Sequence, residues 1–139
     1  MIEYLQNKKY KIEKIIGQGG FGITYKAIMK ETVSGSLGNM EVDVPVAIKE
    51  FFMKDTCERE EGTGKITVPS QGSRALVELY RKKFVKEAKN LAQMNHPHIV
   101  KVVDVFEEND TVYYVIPQFG IRIVHKKVGS LTNILYLYR

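Results

Sequence analysis

The chain has 139 residues, 44% hydrophobic and 27% charged, with 21 Lys and Arg against 16 Asp and Glu and a formal net charge of +5. That size and balance fit one folded domain and argue against general disorder. A single cysteine, Cys57, excludes an internal disulfide framework, no uncharged run exceeds 11 residues, and the N-terminus has no apolar signal core; the expectation is a cytoplasmic protein without a membrane segment.

Residues 10–16, Tyr-Lys-Ile-Glu-Lys-Ile-Ile, alternate apolar and polar and predict a half-buried strand. Residues 17–22 then hold four glycines in six positions. Residues 23–28 are rich in β-branched and aromatic side chains and predict a second strand. Residues 29–43, with Ser34-Gly35-Ser36 and Gly38-Asn39, read as a loop. Residues 44–52 predict a third strand, with Pro45 marking its start or an edge.

Residues 53–73 are polar and glycine-bearing and read as a long loop, with a short strand at Ile66-Thr67-Val68. Cys57 in that loop reads as a free surface thiol. Ser73 is placed to cap a helix over residues 75–93, whose apolar face is Leu76, Leu79, Tyr80, Phe84, Ala88, Leu91 and Ala92. Asn95-His96-Pro97 ends it. Residues 99–106 predict a strand, residues 107–110 a turn, and residues 111–116 the returning strand.

Three features carry chemistry. Gly17, Gly19 and Gly22 fit G-x-G-x-x-G. In a dinucleotide-binding unit such glycines lead from a strand into a helix. Here β-branched residues and a Ser/Gly stretch follow, so the glycines form the tip of a hairpin whose backbone can lie close to phosphates. A Walker A loop is absent, because Gly64-Lys65 is followed by Ile66. The next strand carries Val46-Ala47-Ile48-Lys49, with Ala47 and Lys49 on one face: a flat slot beside a cation. Finally, Glu87 lies on the apolar face of the helix, where an acid is costly unless paired, and Lys49 is the candidate partner.

Together these segments resemble the N-terminal lobe of the protein kinases, most nearly the bacterial serine/threonine type. The resemblance runs over residues 10–119 through the glycine segment with Ile23-Thr24-Tyr25-Lys26-Ala27, Val46-Ala47-Ile48-Lys49-Glu50-Phe51-Phe52, Phe84-Val85-Lys86-Glu87-Ala88 and Asn95-His96-Pro97-His98-Ile99-Val100. It implies an α+β fold, a five-stranded antiparallel sheet with one main helix, and ATP as the ligand. Gly17, Gln18, Gly19, Gly20, Phe21 and Gly22 would cover the phosphates. Lys49 would hold the α- and β-phosphates and pair with Glu87. Ala47 and Thr24 would cover the adenine, Ile116 would be the gatekeeper, and Pro117 and Phe119 the hinge.

The same resemblance defines what residues 1–139 do not contain. No His is followed by Arg-Asp, and Gln118-Phe119-Gly120 only mimics D-F-G, so the Mg²⁺ ligands of the intact family are absent and no metal site is expected. Residues 120–139 read as a divergent tail. The first functional expectation is therefore an ATP-binding kinase lobe, inactive by itself. The alternative is a kinase-derived, non-catalytic module that binds or regulates a protein, or self-associates through the surface a C-terminal lobe would cover. A basic nucleic-acid-binding domain is the third, disfavoured because no aromatic residues are interleaved with the Lys and Arg clusters.

Overall fold

A computed structural model describes residues 2–94, 101–117, 121–127 and 133–137, the last two stretches as backbone. The strands are β1 (Tyr4–Leu5), β2 (Tyr10–Gln18), β3 (Gly22–Gly35), β4 (Gly38–Phe51), β5 (Glu58–Arg59), β6 (Ile66–Thr67), β7 (Asp104–Glu108), β8 (Thr111–Pro117), β9 (Ile121–Lys127) and β10 (Asn133–Leu137), and helix α1 (Arg74–Gln93) lies between β6 and β7. The main sheet is antiparallel in the order β1-β2-β3-β4-β8-β7. The expected α+β layout with one main helix is present, with six strands instead of five.

The sixth strand is β1. Gln6, Asn7 and Lys8 all take positive φ, 53°, 53° and 67°, and the Lys9 N–H closes the turn on the Gln6 carbonyl at 3.1 Å. That reversal lays Tyr4–Leu5 along β2 and buries Leu5. Two paired residues are too few for a periodicity to reveal.

Residues 29–43 are not a loop. β3 and β4 continue in unbroken register from Gly22↔Phe51 to Gly35↔Gly38, joined by Ser36-Leu37, with Gly38 at φ +106°. The ribbon beyond Lys30 is largely exposed on both faces, so it shows no apolar alternation. Pro45 lies inside β4, opposite Ile28, but β8 pairs with β4 only from Val46 onward. The proline therefore sits where β4 has one neighbour and its missing N–H is harmless.

The short strand at residues 66–67 forms and pairs with β5. Ser73 occupies the helix N-cap position but makes no side-chain cap, because a 3₁₀ turn over Gln71–Ser73 already gives it helical angles. The helix buries Val77, Phe84 and Ala88, whereas Leu76 and Leu79 are 46% and 50% exposed. The core stripe is thus rotated from the predicted one toward Val77 and Arg81, and Arg81 reaches Glu107 on β7. Strand β7 starts at Asp104, later than predicted; the helix stop at residues 95–97 and the start of the predicted strand lie outside the described residues. The turn after β7 is Asn109-Asp110, both at positive φ, which is the two-residue hairpin geometry that suits strand twist. In the 120–139 region, β9 and β10 pair with each other as a separate antiparallel ribbon.

The sheet divides two cores. Tyr10, Ile12, Ile23, Tyr25, Val46, Ile48, Tyr113 and Val115 pack on one side. Ala47, Phe51, Val112, Tyr114 and Ile116 pack on the other, against Val77, Phe84 and Ala88 of α1. The candidate site lies on the helix side.

Candidate nucleotide site

Register fixes which side chains share the helix-side face. In β4, Lys49 stands between Thr24 of β3 and Tyr114 of β8; one step along, Ala47 stands beside Ile116. Directly opposed residues in an antiparallel sheet point to the same side. The sheet therefore gathers Thr24, Ala47, Lys49, Tyr114 and Ile116 into one patch, all of them buried. Pro117 ends β8 opposite Val46. Gln118 and Phe119 lie outside the described residues.

Glu87 comes to this patch from α1. Its Oε1 lies 3.9 Å from Lys49 Nζ, and the two side chains are 17% and 8% exposed. Burial lowers the Lys49 pKa, against the pull of Glu87. Burial raises that of Glu87, against Lys49 and the Tyr114 hydroxyl. Both shifts disfavour charge, so desolvation outweighs the mutual attraction of the pair. The ammonium is further flanked by the rings of Tyr114 at 5.7 Å and Phe84 at 6.0 Å, whose faces attract a cation.

The glycine segment closes the site at one end. Gly17 pairs with Thr24 and Gln18 with Ile23; the turn between β2 and β3 is Gly19, Gly20 and Phe21, tied by the Gly19 N–H to the Gly22 carbonyl at 2.9 Å. Gly22 has no room for a side chain: a Cβ would meet the Glu50 carbonyl oxygen at 3.0 Å and Lys49 Cε at 3.3 Å. Gly20 by contrast has open space. The segment after β4 continues the ladder into this turn, with the Phe52 N–H on the Phe21 carbonyl at 3.0 Å and the Lys54 N–H on the Gly20 carbonyl at 3.1 Å. Phe21 folds inward against Tyr80 of α1, ring centroids 5.0 Å apart. A cavity lined by Phe21, Phe51, Phe84, Glu87 and Leu91 opens beside the pair.

Two features escape the sequence reading. Glu50, fully buried on the far side of β4, accepts hydrogen bonds from the hydroxyls of Tyr25 and Tyr113 and an ion-pair contact from Arg59. Arg59 also donates to the Gly64 carbonyl at 2.8 Å. Burial drives both phenols well above their ordinary pKa range, so they stay protonated and donate. The signal was available: Glu50 is in phase with Val46 and Ile48, as Glu87 is in phase with its helix core. The second is Cys57, which is buried in the helix-side core and not at the surface. Its N–H bonds the Met53 carbonyl at 2.8 Å, a turn that folds the thiol inward beside Ile66.

Among the described residues no group of three or more His, Cys, Asp or Glu side chains is arranged to hold a metal ion. No described helix is long and apolar enough to cross a membrane.

No protein-family model matches the chain. The curated relatives are protein kinases. The chain is 28% identical to the tyrosine-protein kinase Fer of Mus musculus over 80% of its length, 30% identical to cyclin-dependent kinase F-4 of Oryza sativa over 77%, and 27% identical to the serine/threonine-protein kinase PknD of Chlamydia trachomatis over 79%. It spans only 10%, 17% and 9% of those three proteins. Among solved structures, the one titled PpkA-294 apo form matches 86% of the chain and 39% of its own, with a TM-score of 0.71 and 25% identity. Topology, the helix packed on the sheet and these relatives agree: the chain is built as the N-terminal lobe of a protein kinase.

Proposed function

We propose that the chain is the ATP-binding lobe of a serine/threonine protein kinase and that residues 1–139 transfer no phosphate on their own. The observation that supports this best is the buried Lys49–Glu87 pair beside the glycine turn. A desolvated ammonium whose nearest anion stands at 3.9 Å is a ready partner for a phosphate oxygen. Lys49 would hold the nucleotide phosphates, with the backbone of Gly17, Gln18, Gly19, Gly20, Phe21 and Gly22 above them. Ala47, Thr24 and Ile116 form the flat apolar patch suited to a purine, with Pro117 and Phe119 as the hinge.

Phosphoryl transfer needs a positioned nucleophile and stabilised charge on the transferred group, largely from metal ions. The sequence of residues 1–139 offers neither H-R-D nor D-F-G. The test is titration of a fluorescent ATP analogue into wild type and Lys49→Met, with a radiolabelled transfer assay alongside. Weak binding lost in Lys49→Met, with no transfer, is the expected result. Equal binding by both proteins, or transfer abolished by Lys49→Met, overturns the reading.

A further inference from the structure

Among the described residues only two buried side-chain polar atoms lack a hydrogen-bond partner: Glu87 Oε1 and the Tyr114 hydroxyl. Both belong to side chains that stand at the Lys49 ammonium, with Glu87 Oε1 3.9 Å from Nζ. Tyr114 is 1% exposed, so no bulk water competes for its proton. Its ring also flanks Lys49 Nζ at 5.7 Å, because Tyr114 is the register partner of Lys49. One phenol thus stands beside the ammonium that Glu87 also approaches. Buried polar atoms are rarely left unmatched, and two neighbours of complementary type, a donor and an anionic acceptor, are the natural match.

We infer that Tyr114 is a positioning residue for Glu87: its hydroxyl donates to the carboxylate and holds α1 inward when Lys49 is drawn to an anionic ligand. The need is physical. One ammonium shared between a carboxylate and a phosphate leaves the carboxylate undercompensated in a dry site. A second donor on β8 keeps it satisfied without a second cation, and a phenol whose burial holds it protonated is suited to that. The ligand part of this inference rests on the nucleotide reading above; the hydrogen bond does not.

The charged and titratable groups around Glu87 are Lys49 from β4, Tyr114 from β8, and Lys83 and Lys86 on its own helix, which line the same cavity. The experiment is a carbon-13 titration of the Glu87 carboxyl, assigned by its loss in Glu87→Gln, in wild type and Tyr114→Phe without nucleotide. Losing the donor moves the Glu87 midpoint upward, by about half a pH unit or more, a roughly threefold change in its acid constant. An unchanged or lowered midpoint overturns the inference. A second measurement leaves Tyr114 intact: its ring ζ-carbon shift follows the Glu87 titration in wild type, and independence of the two signals overturns it equally. ATP-analogue titration of the same proteins is scored separately. A moved midpoint without nucleotide binding keeps the positioning role and removes the nucleotide reading; binding with an unmoved midpoint does the reverse.

Discussion

Lys49 of β4 and Glu87 of α1 form a largely buried ion pair between the sheet and the helix, 3.9 Å from Nζ to Oε1. Because burial raises the Glu87 pKa, the folded chain binds that proton more tightly than the unfolded chain. Its contribution to stability is full below the unfolded carboxyl range and is lost as pH rises through the higher folded value. Wild type should therefore lose stability relative to Glu87→Gln as pH rises above the unfolded carboxyl range, about 4. Urea midpoints for both proteins across that range check this, and parallel curves contradict it. The lowered Lys49 pKa acts at the other end: stability is regained as pH climbs toward the ordinary lysine range.

The Glu50–Arg59 contact has a different logic. Glu50 is fully buried and, among the described residues, Arg59 is its cationic partner, while Tyr25 and Tyr113 supply neutral donors. Arg59→Met strands a buried carboxylate and should cost about 3–5 kcal/mol. Glu50→Gln keeps an acceptor for the tyrosines and should cost less. The double variant should fall short of the sum, since both changes remove one interaction. Denaturant unfolding of the four proteins measures this, and strict additivity would disprove the coupling.

Cys57 reports on the same segment. The thiol is buried behind the turn at Met53 and the strand at Ile66, and Arg59 anchors the chain between them. Alkylation of native protein should be slow and limited by local opening. Arg59→Met should accelerate it several-fold while unfolded protein reacts at one rate in both. Mass spectrometry of timed alkylation follows it; equal native rates would show that Arg59 does not hold the segment.

The parts of this fold that could be read from the sequence are those with at least one buried face. β2 and α1 carry an apolar period, while β8 and the inner halves of β3 and β4, buried on both faces, read as apolar and β-branched runs. The outer halves of β3 and β4 were invisible because residues such as Glu31, Thr32 and Glu41 see water on both sides. The pairing of Lys49 with Glu87 followed from phase alone. Applying the phase argument to Glu50 would have found a second buried acid, but its cation, Arg59, arrives through a turn whose path no periodicity records. Cys57 was misplaced for the same reason: a polar sequence does not tell which of its few apolar side chains folds back.

Gly20 in the turn and Gly22 at the start of β3 should behave differently. At Gly22 an added methyl meets a backbone oxygen, Glu50 O at 3.0 Å, and the stem of Lys49 at 3.3 Å. The carbonyl belongs to a paired strand, so Gly22→Ala must shift the lysine or strain the ladder at Phe51. Overpacking of that kind costs about 1–3 kcal/mol. At Gly20 nothing lies within 4 Å, and the backbone there needs no left-handed angle. Gly20→Ala should leave stability within about 0.5 kcal/mol of wild type, as surface changes usually do. Thermal unfolding separates the two, and the Lys49 side-chain signals in an NMR spectrum should move only in Gly22→Ala. If Gly20→Ala proves the more damaging, Gly20 does not face open space. If Gly22→Ala unfolds earlier while Lys49 stays in place, the strain is taken up by the Glu50 carbonyl and the ladder alone.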